Sequence, residues 1–223
     1  MLGNSPRLKK NNFDLIRLLF SGTVLLVHAY QLSGFQQLEV ITRILSSAMA
    51  VKSFFVVSGF LIFMSFERTE SISSYAKKRI RRIFPAYFTV VMLCALGLII
   101  ISSKDIGDYF SLAWLKYVFA NLAFLNFLQP TLPGVFNSNN LTAVNGALWT
   151  LKIEVMFYLT VPVFVFLFRK LGYFPVLVSS YLLSIAYFEF FSEVAERTGS
   201  VFYEQLARQL PGQLSYFMAG AFL

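Results

Sequence analysis

The stretch FDLIRLLFSGTVLLVHAY, Phe13–Tyr30, decides the fold class. It is apolar over about the 20 residues that one helix needs to cross a bilayer. Four polar side chains nevertheless interrupt it: Asp14, Arg17, Ser21 and His28. At 100° per residue they share one narrow sector of a helix, with Arg17 and His28 about 16 Å apart along its axis. We therefore predict a transmembrane helix that carries a functional polar face.

The composition of the whole chain extends this prediction. Of the 223 residues, 57% are hydrophobic and only 13% are charged, with a mean hydropathy of +0.66. A soluble domain needs a more highly charged surface, so the lipid bilayer is the expected partner. The net charge of +8 does not indicate a nucleic-acid partner, because the basic residues flank apolar segments and act there as topology determinants. We predict an all-α, polytopic transmembrane helical bundle.

Hydropathy predicts about six spans in a single integral membrane domain over residues 1–223. The chain is still apolar where the printed sequence stops, and we interpret it as the N-terminal portion of a longer protein. Pro85 is expected at the first position of the third helix, where a missing N–H costs nothing. The predicted spans are Asp14–Gln31, Ser47–Phe66, Phe84–Ser103, Ala147–Phe168, Tyr173–Phe191 and a last one from about Leu210 to Leu223.

Basic residues predict the orientation of these spans. They precede the first span and lie between the second and third, which places both stretches, and the N-terminus, in the cytoplasm. The apolar segment Leu112–Leu128 could also cross, but we favour an interfacial or re-entrant position, because Arg169 and Lys170 then stay cytoplasmic. The residues that set this orientation are Arg7, Lys9, Lys10, Arg68, Lys77, Lys78, Arg79, Arg81 and Arg82.

A second polar stripe lies on the fourth span, where Thr150, Glu154 and Tyr158 follow helical spacing. If this helix enters from outside, Glu154 lies at the depth of His28, whereas Arg17 lies near the cytoplasmic end. Two pairings of Glu154 stay open. It forms either a structural ion pair with Lys52 or a functional pair with His28 that fixes the imidazole tautomer.

Four sequence blocks, in this order, resemble the integral membrane acyltransferases of acyltransferase family 3. The first is the opening helix, in which ten residues separate Arg17 from His28. The second is FFVVSGFLI, Phe54–Ile62, and the third is KKRIRRIFPAY, Lys77–Tyr87. The fourth is LWTLKIEVMFYLTVP, Leu148–Pro162, with Thr where Ser is commoner. The resemblance covers essentially the whole chain, although members of the family typically have about ten spans.

The resemblance implies transfer of an acyl group, most often acetyl, from cytoplasmic acyl-CoA to a hydroxyl of an extracytoplasmic carbohydrate. The acceptor would be O-antigen, exopolysaccharide or peptidoglycan, free or lipid-linked, at a bacterial inner membrane. His28 would act as general base or as a transient acyl carrier, and Glu154 would orient or stabilise it. Arg17 would position the acyl-CoA co-substrate, and no metal is expected. The residues expected to attract the CoA phosphates are Lys78, Arg79, Arg81 and Arg82.

Two other functional classes remain open at the level of sequence. Buried Arg, His and Glu also serve proton-coupled transporters and exporters, although no inverted repeat supports that function here. An inactive membrane fragment is the second alternative. The basic run likewise has a simpler explanation, since such clusters commonly do no more than set topology.

Overall fold

The computed structural model of the chain describes residues 12–33, 35–139 and 141–223, and in these ranges the regular structure is helical. The basic residues Arg7, Lys9 and Lys10, which entered the orientation argument, lie outside the described residues. Ten α-helices follow one another along the described chain. They are α1 Phe13–Ser33, α2 Glu39–Ile44, α3 Ser47–Glu67, α4 Ile72–Gly97, α5 Ile106–Tyr109, α6 Leu112–Leu122, α7 Leu148–Leu171, α8 Tyr173–Thr198, α9 Val201–Ala207 and α10 Leu210–Phe222.

The prediction of an all-α, polytopic membrane protein is confirmed. Five helices of the described chain are long and apolar enough to cross a bilayer. Four of them, α1, α3, α7 and α8, begin within one residue of the predicted spans. The count of about six spans is close to this number, since the predicted last span is helical from Leu210 but has only 13 residues.

The start of the third span was predicted wrongly. The helix α4 begins at Ile72, twelve residues before Phe84, and Pro85 lies in its interior. The reason is a local cap, because the Ser71 side chain accepts a hydrogen bond from the backbone N–H of Ser74 at 3.2 Å. Proline has no backbone N–H to donate. It is nevertheless tolerated in a membrane helix when neighbouring groups satisfy the carbonyl oxygen that is left without a hydrogen bond. The basic run is therefore one helical face of α4 and not a loop that precedes it.

The ambiguous segment Leu112–Leu128 does not form one continuous helix. Its helix α6 ends at Leu122 after 11 residues, which corresponds to about 16 Å of rise. That length is about half of the hydrocarbon thickness, so α6 cannot span it. The chain then turns at Phe124, whose φ is +60°, and the ring of Phe124 stacks on Tyr87 of α4 with ring centroids 4.3 Å apart. These observations agree with the version of the topology in which this segment does not cross.

The core of the bundle lies where α10 packs against α3, α7 and α8. A Cβ atom at Gly59 would lie 2.2 Å from the Phe217 carbonyl oxygen, and one at Gly220 would lie 1.9 Å from the Val56 carbonyl oxygen. Only glycine lets the backbones of α3 and α10 approach so closely, as small residues do between membrane helices. This contact fixes α3 beside α7, whose Phe157 ring stacks on Phe217 with centroids 4.0 Å apart.

Candidate active site

A cavity of about 250 Å³ opens between α1, α3 and α7. Its wall is mostly apolar, and the polar exceptions include His28 and Ser21 of α1 and Thr150 and Glu154 of α7. The helical periodicity of α1 placed Ser21 and His28 on one face, and both side chains line this cavity. Asp14, predicted for the same face, is exposed and does not line it. The cavity therefore brings together an imidazole and a carboxylate in apolar surroundings.

The imidazole of His28 is held from its own helix. Its Nδ1 atom lies 2.8 Å from Oε1 of Gln31, one turn further along α1. Because a carbonyl oxygen only accepts, Nδ1 must donate in this pair, which leaves the lone pair of the neutral ring on Nε2. Gln31 therefore contacts the imidazole where one of the two open interpretations of the sequence placed Glu154.

The carboxylate of Glu154 is almost completely buried, with 4% of the residue exposed. The Tyr158 hydroxyl donates a hydrogen bond to its Oε1 at 2.7 Å, and the Ser58 hydroxyl of α3 approaches the same oxygen at 3.5 Å. Nη2 of Arg17 lies 3.8 Å from it and forms a salt bridge. Neither pairing left open by the sequence is observed among the described residues, since Glu154 contacts Arg17 and not Lys52 or His28.

Arg17 packs against α3 near the start of α1. The Phe13 ring packs on Phe60 with centroids 5.3 Å apart, and the Arg17 guanidinium lies 4.8 Å from the centroid of the Phe54 ring. Both partners are close to the middle of α3. This packing of α1 against α3 brings the guanidinium of the long Arg17 side chain within 3.8 Å of the Glu154 carboxylate.

Four basic residues of α4 were predicted to attract the CoA phosphates. Lys78, Arg81 and Arg82 are exposed and Arg79 is half-buried. Arg79 and Arg82, three residues apart on the helix, lie close enough to Glu154 to act on it electrostatically. Nη2 of Arg79 donates to the Ser65 hydroxyl at 2.7 Å. Its Nε is buried and has no hydrogen-bond partner among the described residues. The exposed cations beside Arg79 are of the residue types that bind phosphate groups through charge-assisted hydrogen bonds.

Sequence reasoning missed two contributions to the site. Ser58 belongs to the block FFVVSGFLI, where a lone hydroxyl in an apolar run was the available signal. Tyr158 was assigned to a polar stripe but was given no role. Lys52, offered as a partner for Glu154, instead places its ammonium group 5.5 Å from the Tyr216 ring centroid. The described residues contain no group of three potential metal ligands.

Comparisons with known proteins agree with this arrangement. The sequence model of the family, which describes the acyltransferase domain of acyltransferase family 3, matches residues 10–223 of this chain. Nodulation protein 10 of Rhizobium leguminosarum bv. viciae is 30% identical over 174 residues, which are 72% of this chain and 46% of that protein. The O-acetyl transferase of Shigella phage Sf6 is 31% identical over 162 residues, which are 68% of this chain and 44% of that protein.

A third relative is more distant. Acyltransferase MdmB of Streptomyces mycarofaciens is 28% identical over 149 residues, which are 65% of this chain and 36% of that protein. The chain spans less than half the length of these three relatives. No solved structure matches it. The family match covers nearly the whole chain, and residues of three of the four sequence blocks line one cavity. The chain belongs to acyltransferase family 3.

Proposed function

We propose that this protein is a membrane O-acyltransferase that moves an acyl group, most often acetyl, from acyl-CoA to a carbohydrate hydroxyl. One observation carries the proposal. His28 and Glu154 line the same apolar cavity, and Glu154 is in contact with Arg17 and near the cations of α4. A base, a buried carboxylate and an anion-binding face from three helices therefore converge. The family and the relative named as an O-acetyl transferase support the same reaction class.

In the proposed reaction, Nε2 of His28 takes the proton from the acceptor hydroxyl as its oxygen attacks the thioester carbonyl carbon. The carbon–sulfur bond then breaks, and the CoA thiolate takes the proton from the imidazolium. Glu154 contributes a negative charge inside the same cavity, which stabilises the imidazolium while it exists. Arg17 and the basic face of α4 position the donor through its phosphate groups.

The proposed topology follows from the same roles. The basic face of α4 meets acyl-CoA at the cytoplasmic side, and the His28 end of the cavity meets the acceptor at the other side. The N-terminus is then cytoplasmic, and the membrane is the inner membrane of a bacterium. The acceptor would be O-antigen, exopolysaccharide or peptidoglycan. Its attachment to a lipid carrier would keep its hydroxyl groups close to the bilayer.

Incorporation of label tests the proposed function. Membranes from cells that express the protein are incubated with radiolabelled acetyl-CoA, and label is measured on envelope polysaccharide. We expect transfer that membranes lacking the protein do not show. If correctly inserted protein transfers no label from acetyl-CoA or from a series of longer acyl-CoA donors, the acyltransferase proposal is wrong and transport becomes the better explanation.

The exposed cations of α4 are expected to affect donor binding more than catalysis. In the double variant Lys78→Gln/Arg81→Gln, we expect the KM for acetyl-CoA to rise about tenfold with kcat nearly unchanged, because charge-assisted bonds to phosphate are lost. The matched control is Arg169→Gln/Lys170→Gln, which removes two charges from the last turn of α7. An unchanged KM in the first variant would mean that these residues only set topology.

A further inference from the structure

The two oxygen atoms of the Glu154 carboxylate have different surroundings. The Tyr158 hydroxyl at 2.7 Å, the Ser58 hydroxyl at 3.5 Å and the Arg17 guanidinium at 3.8 Å all approach Oε1. Oε2 receives no hydrogen bond within the described ranges. Glu154 lines the cavity, so the contacts to Oε1 set how its carboxylate is oriented there.

Tyr158 is the donor that can hold this arrangement. Its 2.7 Å hydrogen bond is the shortest of the three contacts, and its hydroxyl stands one helical turn from Glu154 on the same helix. A tyrosine has only two side-chain torsions to fix, so a buried ring positions its hydroxyl at little entropic cost. Arg17 and Ser58, in contrast, approach from other helices at longer distances, and their positions depend on helix packing.

The position of Tyr158 is itself fixed from α4. The Tyr75 hydroxyl donates a hydrogen bond to the backbone carbonyl oxygen of Tyr158 at 3.2 Å. The Arg79 guanidinium lies 5.5 Å from the centroid of the Tyr158 ring. Tyr158 is only 6% exposed. These contacts connect the basic face of α4, through one aromatic ring, to the carboxylate of the cavity.

We propose that Tyr158 is a positioning residue that anchors Oε1 of Glu154 and so fixes the orientation of this carboxylate in the cavity that His28 also lines. The inference rests on the proposed function and adds to it the residue that orients the carboxylate. A carboxylate anchored through one oxygen needs no reorganisation when a positive charge develops on the imidazole, which is the condition for effective electrostatic stabilisation. Without the anchor, Glu154 rotates towards Arg17, and its charge faces the cavity less often.

The substitution Tyr158→Phe tests this inference, because it removes one oxygen atom and keeps the ring under Arg79. We expect kcat for acetyl transfer to fall roughly 10- to 100-fold, as for the loss of one hydrogen bond to a charged group. The KM values for acetyl-CoA and for the acceptor should stay within about twofold, since neither substrate contacts Tyr158 in the proposed arrangement.

The matched control is Tyr109→Phe. It also removes a buried tyrosine hydroxyl, but that hydroxyl donates to the backbone carbonyl of Ala95 and contacts neither Glu154 nor Tyr158. Its kcat should remain near that of the unsubstituted protein. If Tyr158→Phe keeps kcat within twofold, or if both variants lose kcat equally, the inference is wrong. If Tyr158→Phe does not insert, Ser58→Ala is measured instead, because it removes a weaker contact to the same oxygen. A loss of kcat smaller than that expected for Tyr158→Phe supports the anchoring of Oε1, and an unchanged kcat contradicts it.

These measurements separate this inference from the proposed function. No transfer by the unsubstituted protein contradicts the proposed function. Normal transfer that Tyr158→Phe leaves intact contradicts only the role of Tyr158. Insertion of each variant is checked by its amount in the membrane fraction and by its elution as a single species in detergent, so that a loss of kcat reports chemistry and not misfolding.

Discussion

Replacing His28 with Ala should lower acyl transfer about 10²- to 10⁴-fold while the protein remains in the membrane. His28 is the only histidine of the chain, so no neighbouring imidazole can take over its role. The hydrogen bond from Nδ1 to Gln31 leaves Nε2 as the basic atom, and the ring lines the cavity that also holds Glu154. The measurement is the rate of label transfer from radiolabelled acetyl-CoA to envelope polysaccharide, normalised to the amount of inserted protein.

The matched control for this variant is Leu25→Ala on the same helix. Leu25 is 69% exposed on the bundle surface and does not line the cavity, so its truncation should leave the transfer rate unchanged. A rate for His28→Ala above one tenth of the control would contradict a general-base role. Label that stays bound to the denatured protein, and disappears in His28→Ala, would instead identify His28 as a transient acyl carrier.

The positions of the spans followed from the sequence because hydropathy is a property of each segment alone. Helices α1, α3, α7 and α8 begin within one residue of the predicted spans. The start of α4 was missed, since two local signals competed there. Pro85 suits the first turn of a helix, but the side chain of Ser71 caps the chain earlier. The sequence gives no measure of which signal is stronger when a basic segment lies between them.

The contacts of the site residues depend on how neighbouring helices are shifted along their axes. Counting residues from each span end placed Arg17 near one surface and Glu154 level with His28. In the structure, α1 packs with Phe13 against Phe60, and this packing brings the Arg17 guanidinium within 3.8 Å of the Glu154 carboxylate. Such a register arises from side-chain packing between helices, which periodicity within a single helix does not encode. The polar face of α1 was visible in the sequence, whereas its partner was not.

The role of Ser58 illustrates a related limit. A single hydroxyl in an apolar run has no periodic pattern that would reveal a function. It gains one because Gly59 lets α10 approach α3, and this packing holds Ser58 against α7 and within 3.5 Å of Glu154. The block FFVVSGFLI thus combines a close helix contact with a polar contact to the site. Family resemblance pointed to this block, but only the fold explains why adjacent Ser and Gly residues serve both purposes.

The substitution Glu154→Gln should reduce both stability and transfer. The amide keeps the shape of the carboxylate and can still accept the Tyr158 hydrogen bond, but the guanidinium of Arg17 loses its counter-charge inside the bundle. Breaking one partner of a buried ion pair costs about 3 kcal/mol, which lowers the Tm measured in detergent. The transfer rate should fall about 100-fold, because the cavity no longer holds a negative charge to stabilise the imidazolium of His28.

The double variant Arg17→Met/Glu154→Gln separates the two effects. Removing both charges eliminates the unpaired guanidinium, so Tm should return to near its original value, as it does when buried ion pairs are replaced by apolar groups of similar size. Transfer should remain at or below the rate of Glu154→Gln, because neither the donor cation nor the carboxylate is restored. Recovery of transfer together with Tm would mean that the pair only joins α1 to α7. Recovery of Tm alone would mean that two charges buried in the bundle are kept for the reaction and not for the fold.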